Sequence, residues 1–145
     1  MASASTTRRR VTYAVLTIAL TLAASACDWF KNDSSPSEDT TTTSETFSGT
    51  LAPQGSNIYT FTVARSGTVK VTLTSVAPTA TTPVGLGLGT PSGNACTLTS
   101  STPSATAGTT AQISVTQSPG TYCIRVFDSG SVSAAITFSV KVEHT

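Results

Sequence analysis

The chain has 145 residues, a formal net charge of +1 and only 10% charged residues, while Ser and Thr together fill 51 positions. Three of its eight cations are Arg8, Arg9 and Arg10, so residues 27–145 carry five cations against seven acids, a balance that argues against a nucleic-acid partner. The length admits one modest domain, and scarce charge with abundant hydroxyls favours strands and turns over salt-bridged helices.

Residues 1–26 have the three parts of an export signal. The basic run Arg8-Arg9-Arg10 precedes an apolar run from Val11 to Ala24, 14 residues long. As a helix that run rises about 21 Å, short of the roughly 30 Å hydrocarbon core, which favours a signal peptide over a permanent span. It ends Leu22-Ala23-Ala24-Ser25-Ala26-Cys27. Small residues directly before a cysteine resemble the lipobox of bacterial lipoproteins, in which a diacylglycerol is attached to the cysteine thiol and the leader is then cut just before it. The resemblance implies lipidation of Cys27 and attachment of the exported chain to a bacterial membrane or cell surface, although Ala24 stands where that family most often has Leu. Ala24-Ser25-Ala26 is also an ordinary A-x-A cleavage site, and cutting there yields a secreted, unlipidated chain.

Residues 27–45 are expected to form a polar tether. Asp28-Trp29-Phe30-Lys31 opens it, and beyond Phe30 it holds almost no apolar side chain with which to offset the entropy of ordering.

From about Thr46 to the end, residues 46–145, apolar side chains recur with period two, the mark of half-buried strands. In chain order the strands carry Phe47 and Leu51; Tyr59, Phe61 and Val63; Val69, Val71 and Leu73; then Val84, Leu86 and Leu88 alternating with glycines. A short segment with Cys96 and Leu98 follows, then Ala111, Ile113 and Val115; Tyr122, Ile124 and Val126; and Ile136, Phe138, Val140 and Val142. Turn-forming runs such as Pro53-Gln54-Gly55-Ser56, Pro91-Ser92-Gly93-Asn94 and Asp128-Ser129-Gly130 separate them. The expected fold is all-β: an antiparallel β-sandwich of about eight strands, apolar faces inward and Thr-rich faces outward.

The runs Tyr59-Thr60-Phe61-Thr62-Val63, Gly67-Thr68-Val69-Lys70-Val71-Thr72-Leu73, Pro119-Gly120-Thr121-Tyr122-Cys123-Ile124-Arg125-Val126 and Phe138-Ser139-Val140-Lys141-Val142 resemble the bacterial pre-peptidase C-terminal domain. The resemblance covers nearly all of residues 46–145. It implies a jelly-roll-like sandwich that assists secretion or binds substrate without catalysis. Some members of that family hold calcium with clustered acids, but residues 46–145 offer only Asp128 and Glu143, too few for a cage of six to eight oxygens.

Three cysteines in an exported chain leave one unpaired, and lipidation of Cys27 removes the odd one, so Cys96 and Cys123 form the candidate disulfide; the alternative is two buried free thiols. Cys123 alternates out of phase with Tyr122, Ile124 and Val126, whereas Cys96 is in phase with Leu98. Either the fifth segment is misregistered or the bridge lies on an outer surface.

No catalytic constellation emerges. His144 stands alone near the end of the chain and reads as an exposed, incidental side chain; Asp128 begins a turn and reads as its cap; no G-x-S-x-G elbow is present. Gly85-Leu86-Gly87-Leu88-Gly89-Thr90 lacks the last glycine of a nucleotide loop and reads as a strand whose glycines admit a neighbour. The chain is therefore expected to be no enzyme, to use no cofactor and to hold no metal. It reads as a binding or accessory module on a membrane surface, with an envelope protein or polysaccharide as partner. A binding patch could combine Arg125 and Phe127 with loops near residues 75–83 and 100–108. The alternative is a structural or assembly subunit of an envelope complex.

Overall fold

The structure, a computed structural model, describes residues 41–145. The export segment, Cys27 and most of the expected tether lie outside the described residues. Eight strands, and among the described residues no helix, follow in order: β1 (Thr43–Leu51), β2 (Ser56–Val63), β3 (Gly67–Ala77), β4 (Val84–Ser92), β5 (Ala95–Ala105), β6 (Ile113–Gln117), β7 (Gly120–Phe127) and β8 (Ile136–His144). All pairings are antiparallel, and the strands divide into two sheets, ordered β1-β8-β3-β6 and β2-β7-β4-β5. That interleaved order is the eight-stranded jelly roll.

The apolar alternation is what closes the two sheets on each other. Val69, Val71, Leu73, Val140 and Val142 of the first sheet and Leu86, Leu88, Ile124 and Val126 of the second are completely buried, and they pack in one cluster. Burial of each such side chain stabilises the fold by about 1.5 to 3 kcal/mol relative to exposure. At the side where β1 meets β2, an aromatic group joins the sheets. Phe47 stacks on Tyr59 at 5.1 Å between ring centroids, and Tyr59 meets Phe138 edge-on at 6.3 Å. The Tyr59 hydroxyl then donates to the Ser48 carbonyl at 3.0 Å.

Four boundaries differ from expectation: β3 runs on to Ala77, through residues 75–77 read above as loop, and β6 starts at Ile113, after Ala111. β1 begins at Thr43, so Thr43, Ser44 and Glu45, read above as the end of the tether, are strand residues paired with His144, Glu143 and Val142. Their polarity hid them, because β1 is an edge strand whose first residues face solvent. The fifth strand is not short: β5 spans eleven residues and takes in 100–105, most of the segment 100–108 read above as a loop. Its run Thr99-Ser100-Ser101-Thr102 has no apolar phase to reveal it.

Candidate functional site

The outer faces of the two sheets differ, and each collects part of the expected binding patch. On the β2-β7-β4-β5 sheet, Arg125 and Phe127 project away from the core, opposite in phase to the buried Ile124 and Val126. Register places Gly87 and Gly85 of β4 beside them on one flank and Ile58 and Ser56 of β2 on the other. The glycines let the flanking side chains lie flat on the sheet. The Phe127 ring rests against Gly85, and the Leu98 side chain covers Gly87. The Arg125 guanidinium carbon lies 5.3 Å from the Phe127 ring centroid, a cation–π contact.

The cysteine phase problem is resolved on this same face. Cys96 and Cys123 form a disulfide with Cα atoms 5.9 Å apart. Both are buried, at 8% and 0% exposure, yet neither belongs to the core cluster between the sheets. The bridge is external to the sandwich and links β5 to β7 beside Gly89 of β4, which pairs with Cys123 on one side and Leu98 on the other. A register shift between Leu88 and Gly89 folds the β5 backbone toward Gly89, leaving no room there for a Cβ. Glycine at 89 lets β5 lie close against β4 beside the bridge.

The expected loops meet on the opposite sheet. Segments 78–83 and 106–112 bound a groove of about 440 Å³ over the outer side of the β1-β8-β3-β6 sheet. Thr72 and Lys141, which face each other across β3 and β8, belong to its sheet side, and Ala80, Ala107 and Thr109 to its loop walls. Gln112 holds the second loop in place. Its side-chain oxygen accepts from the Leu73 amide at 2.8 Å, its side-chain nitrogen donates to the Thr106 carbonyl at 3.0 Å, and its own amide donates to the Val71 carbonyl at 3.0 Å. The Gly108 amide donates to the Leu73 carbonyl at 2.9 Å. These bonds extend the edge of β3 beyond β6, so the groove wall is as well fastened as a strand. At the rim Lys141 pairs with Glu143 at 3.1 Å, with both side chains about one-third exposed. Arg125 and Phe127 on the one hand, and the two loops on the other, thus form two surfaces rather than the single patch expected.

Asp128 caps its turn. One carboxylate oxygen accepts from the Gln54 amide at 2.8 Å, and the other from the amides of Gly130, Ser131 and Val132 at 2.7 to 3.1 Å. These bonds, that from Gln54 foremost, hold its pKa below the usual aspartate value. The side chain fastens the β1–β2 turn to the loop after β7.

His144 departs from expectation. It is 4% exposed, packs against Phe61 at 5.2 Å between ring centroids, and meets Glu45 with Nε2 and Oε1 2.9 Å apart. Its other nitrogen is buried without a hydrogen-bond partner. The pairing ties β8 to β1, so this histidine is a structural clasp. Both members were missed for one reason: each sits at a strand end where the period-two signal fades. Among the described residues no group of three or more His, Cys, Asp and Glu side chains comes together.

A jelly roll of this size, with a tied turn, an external disulfide and a loop-walled groove, belongs to the class of small β-sandwich modules. The family model of the bacterial pre-peptidase C-terminal domain matches residues 55–128, and the chain belongs to that family of non-catalytic domains. The match runs from just before β2 to just after β7, narrower than the span 46–145 that the quoted runs suggested; β1 and β8, paired along nine positions, lie outside it. No curated protein matches the chain.

Proposed function

We propose that this protein is a non-catalytic accessory module of the bacterial cell envelope, exported, held on a membrane surface by a lipid on Cys27, and engaged there with an envelope partner. The groove between segments 78–83 and 106–112 carries the binding part of this reading. Its volume, about 440 Å³, lies within the range of about 300–1,000 Å³ typical of ligand sites, and its wall is fixed by the Gln112 and Gly108 bonds before any ligand arrives. Hydroxyls of Thr72 and Thr109 beside the Lys141–Glu143 pair offer donors and acceptors to a polar ligand, and that of Thr74, which donates to the Ser139 carbonyl, offers an acceptor. Family membership supports the absence of catalysis, and the Ala24-Ser25-Ala26-Cys27 run supports the anchor.

Fractionation tests the anchor. Wild-type chain is expected in the membrane fraction and Cys27→Ala in the soluble or secreted fraction; the same distribution for both would remove the lipid from the reading. Turnover by the wild-type chain in esterase, glycosidase or peptidase assays, above that of a heat-denatured control, would remove the non-catalytic assignment.

A further inference from the structure

The groove does not account for Arg125. This arginine stands on β7, an inner strand of its sheet, 5.3 Å from the Phe127 ring centroid, and among the described residues it has no ion-pair partner. Its Nε is buried and makes no hydrogen bond. The nearest carboxylate in sequence, Asp128, accepts from four backbone amides and forms no ion pair with Arg125. Across the ladder from Arg125 stands Ile58, the one large hydrophobic side chain among the described residues that is exposed, at 37%. The outward positions paired around them are Ser56, Thr60, Thr62, Cys123 and glycines, none of them acidic. With Nε buried, the two Nη groups are the donors this guanidinium offers an anion, a parallel pair suited to bidentate recognition of a carboxylate.

We propose that this face docks an acidic peptide segment of a partner protein, one that places a carboxylate on Arg125 and an apolar side chain on Ile58. Charge complementarity selects an anion. The apolar neighbour selects a peptide over an acidic glycan, because the aromatic surface that a sugar ring would stack on is already taken by Gly85 beneath Phe127 and by Arg125 beside it. Arginine next to a half-buried aromatic and an exposed aliphatic side chain is also the composition enriched at the centres of protein interfaces. The disulfide, two residues from Arg125 on the same face, holds the platform in shape before the partner arrives.

Fluorescence anisotropy of a labelled twelve-residue peptide, bearing two glutamates and two leucines in a glycine–serine background, tests the proposal with the full chain in non-ionic detergent. Saturable binding is expected, weakened at least about tenfold in Arg125→Gln and about threefold in Ile58→Ser, and lost when glutamines replace the peptide's glutamates. Lys70→Gln, on the other sheet, is expected to bind as wild type does. Circular dichroism confirms the fold of each variant, and the exposed Ile58 supplies an independent probe should Arg125→Gln misfold. Absence of peptide binding by the wild type, equal binding by both Arg125→Gln and Ile58→Ser, or equal binding of the glutamine peptide would overturn the proposal. Binding of polygalacturonate in place of the peptide, with the same dependence on Arg125, would assign the face to an acidic glycan and overturn it as well.

Discussion

A Cβ at residue 89 would lie 2.6 Å from the Thr97 carbonyl carbon and 2.8 Å from the Leu98 Cα, and closer still to the Thr97 oxygen. All three are backbone atoms, and the disulfide at Cys96 holds their strand down. Gly89→Ala must therefore move a strand rather than a rotamer, and it should cost about 3 kcal/mol, the upper part of the usual range for overpacking. At position 87 the obstacle is the tip of the Leu98 side chain, at 2.5 and 2.6 Å, which can turn away, so Gly87→Ala should cost about 1 kcal/mol. Gly108 has open space around it, and Gly108→Ala should stay within about 0.5 kcal/mol of wild type. Urea unfolding followed by circular dichroism measures the series. With an m-value of about 1 to 1.5 kcal/mol per molar for a domain of this size, Gly89→Ala should lower the midpoint by about 2 to 3 M. If Gly89→Ala and Gly108→Ala unfold at the same midpoint, β5 does not close over β4 as described, and the account of the outer face fails with it.

Two further expectations concern the fastenings. The disulfide closes a loop with a sequence separation of 27, for which the chain-entropy model gives about 3 to 4 kcal/mol; Cys96→Ser/Cys123→Ser should show that loss in urea, and a wild type indifferent to reductant would contradict it. Asp128 has a folded pKa depressed by the Gln54 amide and its three companions, so its contribution to stability is complete above the ordinary aspartate pKa of about 3.9 and is lost as pH falls through the lower folded value. Unfolding midpoints measured from pH 6 downward should therefore fall more steeply below about pH 4 in wild type than in Asp128→Asn, and parallel curves would refute the capping role.

The strands with an apolar phase were legible, because alternation such as Val69-Lys70-Val71-Thr72-Leu73 has no other stable use in a domain of this size. Asp128 was legible for the same local reason, since a turn cap is written within a few residues. The jelly-roll order came from the resemblance and not from periodicity, which does not say which strands share a sheet. The division into two surfaces depends on that partition. Arg125 on β7 and the loops flanking β3 fall on opposite faces only because β7 and β3 belong to different sheets. Gln112 was invisible for a related reason: a glutamine in a loop acquires meaning only when a strand edge lies beside it. Glu45 and His144 lie 99 residues apart, and their pairing rests on the register of β1 with β8, which neither end announces.

That register has a mechanical consequence. β1 and β8 run antiparallel with Thr43 opposite His144, so the strand that opens the sandwich starts where the last one finishes. A load applied at Thr43 and resisted by a partner gripping the body of the sandwich pulls along β1 and strains nine register pairs in shear, together. A load applied between Thr43 and His144 peels the same pairs apart singly, beginning with the Glu45–His144 clasp. The sandwich is built to be strong against one direction of pull and to open under the other.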